Sequence, residues 1–268
     1  MRAVEILQRP TTDQVAVLTG FVDATSSSLG HRPLSDHLWL DLRDGGADGF
    51  VVVVASDEGG PIALAQISST NDASSLEAFV RPGLDDGRAV LDDVAETALD
   101  AHRAAGGGRV FWWVDDPTDA DRTFAEANGL TPVRGLHEMR RSLPLDAHAT
   151  VETRDFVPGA DDRAWLDVNN RAFADHGEQG GWTADVLALR MAEPWFDPSG
   201  FRLHEIDGRL AAFCWTTLHH EVAPVVGEIY VIAVDPDFHG RGLGKQLTLA
   251  GLDSIADRGV TEANLYVD

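Results

Sequence analysis

The sequence predicts an α/β protein, of the α+β kind with a mixed sheet, built as two tandem copies of one fold. Three observations predict it. The chain has 268 residues, more than one domain ordinarily holds. Apolar residues make up 44% of it, enough for two packed cores. A strand–turn–helix–strand unit also occurs twice, in the same order.

The elements justify this in turn. Asp13 to Ser27 and Ser35 to Leu42 carry helical spacing, with Ser35 as the N-cap of the second. Phe50 to Ala55 and Ile62 to Ser68 read as a strand pair turning at Asp57-Glu58-Gly59-Gly60. Leu76 to Pro82 is a strand ending at proline, and a Gly/Asp-rich turn, Gly83 to Gly87, follows it. A helix from Arg88 to Ala105 leads to a strand at Arg109 to Asp115. The second copy repeats the series: helices at Asp161 to Phe173 and Thr183 to Glu193, then strands at Phe201 to Ile206 and Leu210 to His219 across Asp207-Gly208. Glu228 to Pro236 is its proline-terminated strand, Gly240 to Gly244 its turn, a helix runs to Arg258, and Ala263 to Asp268 closes it. Val80-x-Pro82 falls on Val234-x-Pro236, and Val114-Asp115 on Val267-Asp268. The expected domains are 1–145 and 150–268, with the linker near Pro144 to Thr150.

Composition excludes several functions. The net charge of −23 repels nucleic acid and anionic membrane surfaces, so an anionic ligand needs a local positive feature. No apolar run reaches the ~18 residues of a membrane span, and Met1 to Glu5 lacks the apolar core of a signal peptide. With one cysteine, Cys214, no disulfide closes within the chain, which suits a reducing cytoplasm; a monomer is expected. Cys214 sits in an apolar strand and reads as core rather than nucleophile. His219-His220 lacks spaced partner ligands, so no metal is expected.

The turn after the proline-terminated strand carries the chemistry. His239-Gly240-Arg241-Gly242-Leu243-Gly244 opens a helix, its glycines let backbone approach a phosphate closely, and free amides at a helix start bind anions. Arg241 and Lys245 add positive charge. The pattern His239-x-x-Gly242-x-Gly244 resembles the acetyl-CoA loop of GNAT acetyltransferases, with His239 where the family has Arg or Gln. The resemblance implies that the backbone of Ile232, Ala233 and Val234 is splayed from its neighbour and bonds the pantetheine arm, with acetyl-CoA as co-substrate.

The tandem arrangement is similar to the mycothiol synthase family over nearly the whole chain. The likeness is best in Asn170-Arg171-Ala172-Phe173, His176 to Gly180, Trp182-Thr183, Phe213 to Thr216 and Gly227 to Val231. It implies transfer of an acetyl group to the cysteinyl amine of a small thiol-sugar, cysteinyl-glucosaminyl-inositol. It implies Glu228 as general base and Asp36, Glu178, Gln179, Glu228 and Tyr266 as acceptor-binding residues. A tandem enzyme acting on another small amine, and a CoA-binding module without turnover, are the alternatives.

Two departures bear on this. The family pattern has lysine after Trp215-Thr216, and here that place is Thr217. The first copy's loop, Leu84 to Ala89, sets Asp85 and Asp86 where a phosphate would sit, so the first domain reads as non-catalytic. The second copy stops at Asp268, the equivalent of Asp115. Its last helix and final strands, about thirty residues with the general acid among them, are therefore expected to be missing. The sheet is then expected to show an unpaired edge.

Overall fold

The computed structural model describes residues 2–69, 73–176, 179–220 and 224–267. The chain divides into two compact units, Met1–Val133 and Arg134–Asp268. Among the described residues no helix is long and apolar enough to cross a membrane.

The first unit is built on strands β1 (Ala3–Leu7), β2 (Val51–Asp57), β3 (Gly60–Ser69), β4 (Ser74–Val80) and β5 (Val110–Trp112), in that spatial order. The first four are antiparallel, and β5 joins β4 in parallel. Alternation along β2 sends Val52 and Val54 to one face and Val51, Val53 and Ala55 to the other. Helices α1 (Thr12–Leu29) and α2 (Asp36–Arg43) cover the first face, α3 (Gly87–Ala104) and α4 (Asp119–Ala127) the second. Ser35 holds the N-cap position of α2, but its side chain makes no capping bond. Its backbone N–H instead donates to Glu77 Oε2 at 2.6 Å.

The second unit repeats the plan. Strands β7 (Arg154–Asp155), β8 (Phe201–Ile206), β9 (Arg209–His219), β10 (Val226–Val234) and β11 (Glu262–Val267) follow the order of β1 to β5. Helices α5 (Asp162–Ala172) and α6 (Ala184–Met191) lie on one face, and α7 (Leu243–Asp257) on the other. Trp165 of α5, fully buried, meets the rings of Trp182, Phe201, Phe213 and Trp215 at 5.3–5.8 Å. Each such edge-on pair contributes ~0.5–1.5 kcal/mol beyond burial, so this cluster is a rigid floor under β8, β9 and β10.

One strand departs from the repeat. β6 (His137–Ser142) follows α4, and the repeat register assigns it to the first domain, ending at 145. It pairs instead antiparallel with β11, from Glu262↔Ser142 to Val267↔His137. The edge of β11 predicted to stand unpaired is thereby hydrogen-bonded, and the division between units falls at Val133. A strand's pattern specifies its faces but not which sheet edge receives it. Strands β1 and β7 were not anticipated either: β1, Ala3 to Leu7, is only five residues long and mostly exposed, and β7 spans two residues.

Candidate active site

Strand β10 sets the geometry. It pairs with β9 along its length but with β11 only at Gly227↔Ala263 and Glu228↔Asn264. A bulge falls at Tyr230, where Ile229 opposes Thr216 and Val231 already opposes Trp215. An extra residue bends and twists a strand, and β10 pairs with β11 no further than Glu228. Ile232, Ala233 and Val234 then line an open cavity of about 490 Å³ whose other wall is the loop from Phe238 to Gly244. The splay expected at these three residues is present.

The loop is anchored from beneath. Asp235, 1% exposed, accepts from the Asp237 N–H and is ion-paired with Arg171 of α5. Arg209 donates to Asp237 at 2.8 Å and holds that carboxyl below its usual range. Phe238 is buried between the guanidinium groups of Arg209 and Arg241, 5.1 and 5.2 Å from its ring centre. His239 Nε2 donates to the Val234 carbonyl at 2.9 Å, so its ring closes the turn.

Gly240 and Gly242 both take φ +76, which glycine adopts without strain. Gly242 is the N-cap of α7, with no side-chain cap and no acid in the first turn. The first amides of α7 therefore keep their donors for a ligand. Gly244 is more telling. Its φ is not left-handed, and a Cβ built on it meets nothing within 4 Å. Neither backbone conformation nor packing requires glycine there, whereas close approach of a ligand to the backbone would. Arg241 and Lys245, the only lysine in the sequence, are exposed beside it. The loop is a positive, amide-rich cradle in an acidic chain, suited to a pyrophosphate.

The glutamate expected to act as base lies on the other face of β10. Ile232 and Val234 pack with the α7 side, while Tyr230, Val231 and Ala233 face α5 and α6. Glu228, two residues before Tyr230, shares that second face and stands where β10 and β11 part. Its Oε2 is 2.6 Å from His219 Nε2 on β9, with side-chain exposures of 16% and 32%. The sequence offers His219 only as part of His219-His220, a pair without the partners of a metal site. The bulge and the register that bring it to Glu228 leave no mark in residue spacing.

The remaining expected residues are placed as follows. Thr217 opposes Glu228 in the β9–β10 register and is buried. Asn264 opposes it on β11, and Tyr266, exposed, lies two residues on, on the same face. Gln179 has a buried Oε1 without a hydrogen-bond partner, and its carbonyl accepts from Asn169 Nδ2 at 2.8 Å. Asn170 bonds both the N–H and the carbonyl of Trp182, pinning the far end of that loop. Glu178 lies outside the described residues. Asp36 stands in the first turn of α2 in the first unit, paired with Arg32 at 2.9 Å. Cys214 is fully buried, its thiol pushed up to about 12 by burial, so it offers no thiolate. No metal-binding group of His, Cys, Asp or Glu occurs among the described residues.

The acetyltransferase (GNAT) family matches residues 164–268. A mycothiol acetyltransferase of Thermobispora bispora is 42% identical over 275 residues, covering 99% of this chain and 90% of that protein. One from Streptomyces coelicolor is 38% identical, covering 100% and 87%. Among solved structures, a GCN5-related N-acetyltransferase from Sphaerobacter thermophilus superposes with a TM-score of 0.63 at 19% identity, over 99% of this chain and 86% of that one. A tandem GNAT protein from the clavulanic acid biosynthesis pathway gives 0.59 at 13% identity, over 99% and 90%. These two share the fold.

Proposed function

We propose a function from one premise: the chain belongs to the mycothiol acetyltransferase family. It is an acetyl-CoA-dependent N-acetyltransferase, and its reaction is acetyl transfer in mycothiol biosynthesis. The acceptor is the cysteinyl amine of cysteinyl-glucosaminyl-inositol, and the second unit carries the chemistry while the first is non-catalytic. The observation that carries the reading is the splay of β10 from β11 beside a glycine loop whose Gly244 faces open space.

Acetyl-CoA supplies an activated thioester carbonyl. The amides at Gly242 to Lys245 hold its pyrophosphate, with Arg241 and Lys245 adding charge. The backbone of Ile232 to Val234 binds the pantetheine arm and polarises the carbonyl oxygen. Glu228 receives a proton from the acceptor ammonium, directly or through one water. That amine has a pKa of roughly 8, so a carboxylate suffices to raise its neutral fraction near neutral pH. The neutral nitrogen then attacks the carbonyl carbon, the C–N bond forms and the C–S bond breaks. The second proton that the nitrogen sheds balances the departing thiolate, which leaves as the thiol after proton exchange through solvent. Holding both reactants on one strand removes most of the entropic barrier. Gln179 and Tyr266 are proposed to meet the sugar and inositol hydroxyls.

The test is mass spectrometry of products from acetyl-CoA with the cysteinyl precursor, beside a panel of aminoglycosides and polyamines. Preferential acetylation of the cysteinyl amine is expected. Faster transfer to another amine would overturn the acceptor. Tight acetyl-CoA binding with no product from any amine would make the chain a binding module.

A further inference from the structure

We propose that His219 is the positioning residue of the base, holding one oxygen of Glu228 so that the other faces the acceptor amine. The inference rests on the reading of Glu228 as base.

The geometry starts from the strand pair. Glu228 opposes Thr217, so His219 is the diagonal neighbour on the same face of β9. Its Nε2 reaches Glu228 Oε2 at 2.6 Å, at the short edge of the ~2.7–2.9 Å usual for a charge-assisted N–H···O bond. An ionised carboxylate has only acceptors, so the imidazole nitrogen must be the donor. Among the described residues, this is the hydrogen bond recorded for the Glu228 carboxylate, and it uses Oε2 alone. Oε1 is left with lone pairs to accept a proton.

The function needs this restraint. A glutamate reaches its target through three torsions, and a side chain 16% exposed beside a strand bulge retains room to turn. A base must come within about 2.6–3.2 Å of its proton. Fixing Oε2 to β9 converts a mobile carboxylate into one with a set direction, before substrate arrives. His219 takes no proton in this scheme. The proton passes from the ammonium to Glu228 Oε1, and the nitrogen lone pair it frees forms the C–N bond.

The experiment is a mutant cycle on the full chain with acetyl-CoA and the cysteinyl precursor. His219→Ala is expected to lower kcat about tenfold to a hundredfold, the cost of a misplaced group. The KM for acetyl-CoA and the melting temperature should stay near the parent's. His219→Gln, which keeps an N–H donor, should recover part of the loss. In a Glu228→Gln background, His219→Ala should lower kcat no further. A His219→Ala variant at the parent's rate, while Glu228→Gln is slow, would overturn the proposal alone. So would losses that add across the cycle, or that fall equally on acetyl-CoA affinity and melting temperature, for His219 would then only brace the strand. A Glu228→Gln variant at the parent's rate would instead overturn the reading beneath it.

Discussion

Replacing Gly244 by valine separates ligand approach from folding. The residue is second in α7, has no left-handed φ, and a Cβ there meets nothing within 4 Å. The added Cβ therefore enters open space, and the two methyls of valine extend from it beside the cavity that Gly244 lines. Helix propensity even favours it over glycine, by about 0.3 kcal/mol or more. On a chain of this size that shifts the melting temperature by about 1 °C or less. Binding is another matter. The cavity bounded by Ile232 to Val234 and the loop has Gly244 on its wall, so the side chain occupies the path of a phosphate. Losing two amide–phosphate bonds at ~1.5–3 kcal/mol each weakens binding by about a hundredfold to ten-thousandfold. Calorimetric titration with acetyl-CoA, paired with a thermal melt, reads both quantities. Undiminished affinity would refute the placement of the pyrophosphate. A melting temperature lower by several degrees would refute the claim of open space. Gly87→Ala, at the start of α3, should leave acetyl-CoA affinity unchanged.

Other consequences follow from the same packing and chemistry. Glu228→Gln should lower the rate about tenfold to ten-thousandfold at neutral pH, with partial recovery at higher pH as the amine loses its proton unaided; a parent-like rate at pH 7 excludes it as base. Gly251→Ala should destabilise the protein by about 1–3 kcal/mol, because its Cβ would stand 2.4 Å from Cys214 Sγ against a sheet that cannot retreat; an unchanged denaturation midpoint would contradict this. Cys214, held protonated by burial, should resist thiol reagents at pH 8 in the native protein and react once per chain in denaturant; stoichiometric labelling of the folded protein would show the strand to be accessible.

The two-copy plan was legible because it rests on local signals repeated in order. Proline after Val80 and Val234, the glycine turns and the helical periodicity each act within a few residues, and the structure realises them nearly where expected. The glycine turn from His239 to Gly244 was legible for the same reason, since a helix start of this kind depends on residues at fixed spacing. What the sequence hid is non-local. The Arg171–Asp235 pair that braces the loop joins residues 64 apart. The His219–Glu228 bond depends on a bulge whose position no residue type announces. The docking of β6 on β11 joins residues more than a hundred positions apart, and His137 to Ser142 would satisfy any open edge equally well.

The same fold twice, with two different helix starts, shows how little separates a scaffold from a site. In both units the strand before the long helix parts from its parallel neighbour: β4 pairs with β5 only from Ser74 to Leu76, and β10 with β11 only at Gly227 and Glu228. Splay alone is therefore inherited with the fold. What differs is what surrounds the helix N-terminus. Before α7 stand Gly242 and no acid, with Arg241 and Lys245 alongside. Before α3 stand Asp85 and Asp86, and the Asp86 carboxylate already pairs with Arg2, which holds it below the usual carboxylate range. A phosphate arriving at α3 would have to break that pair and then sit beside two carboxylates, whereas one arriving at α7 meets only donors. β10 also carries a bulge at Tyr230 that β4 lacks in its pairing with β3. The proposal that the second unit carries the chemistry and the first supports it rests on these local differences, above all the two acids at one helix start against glycine and cations at the other.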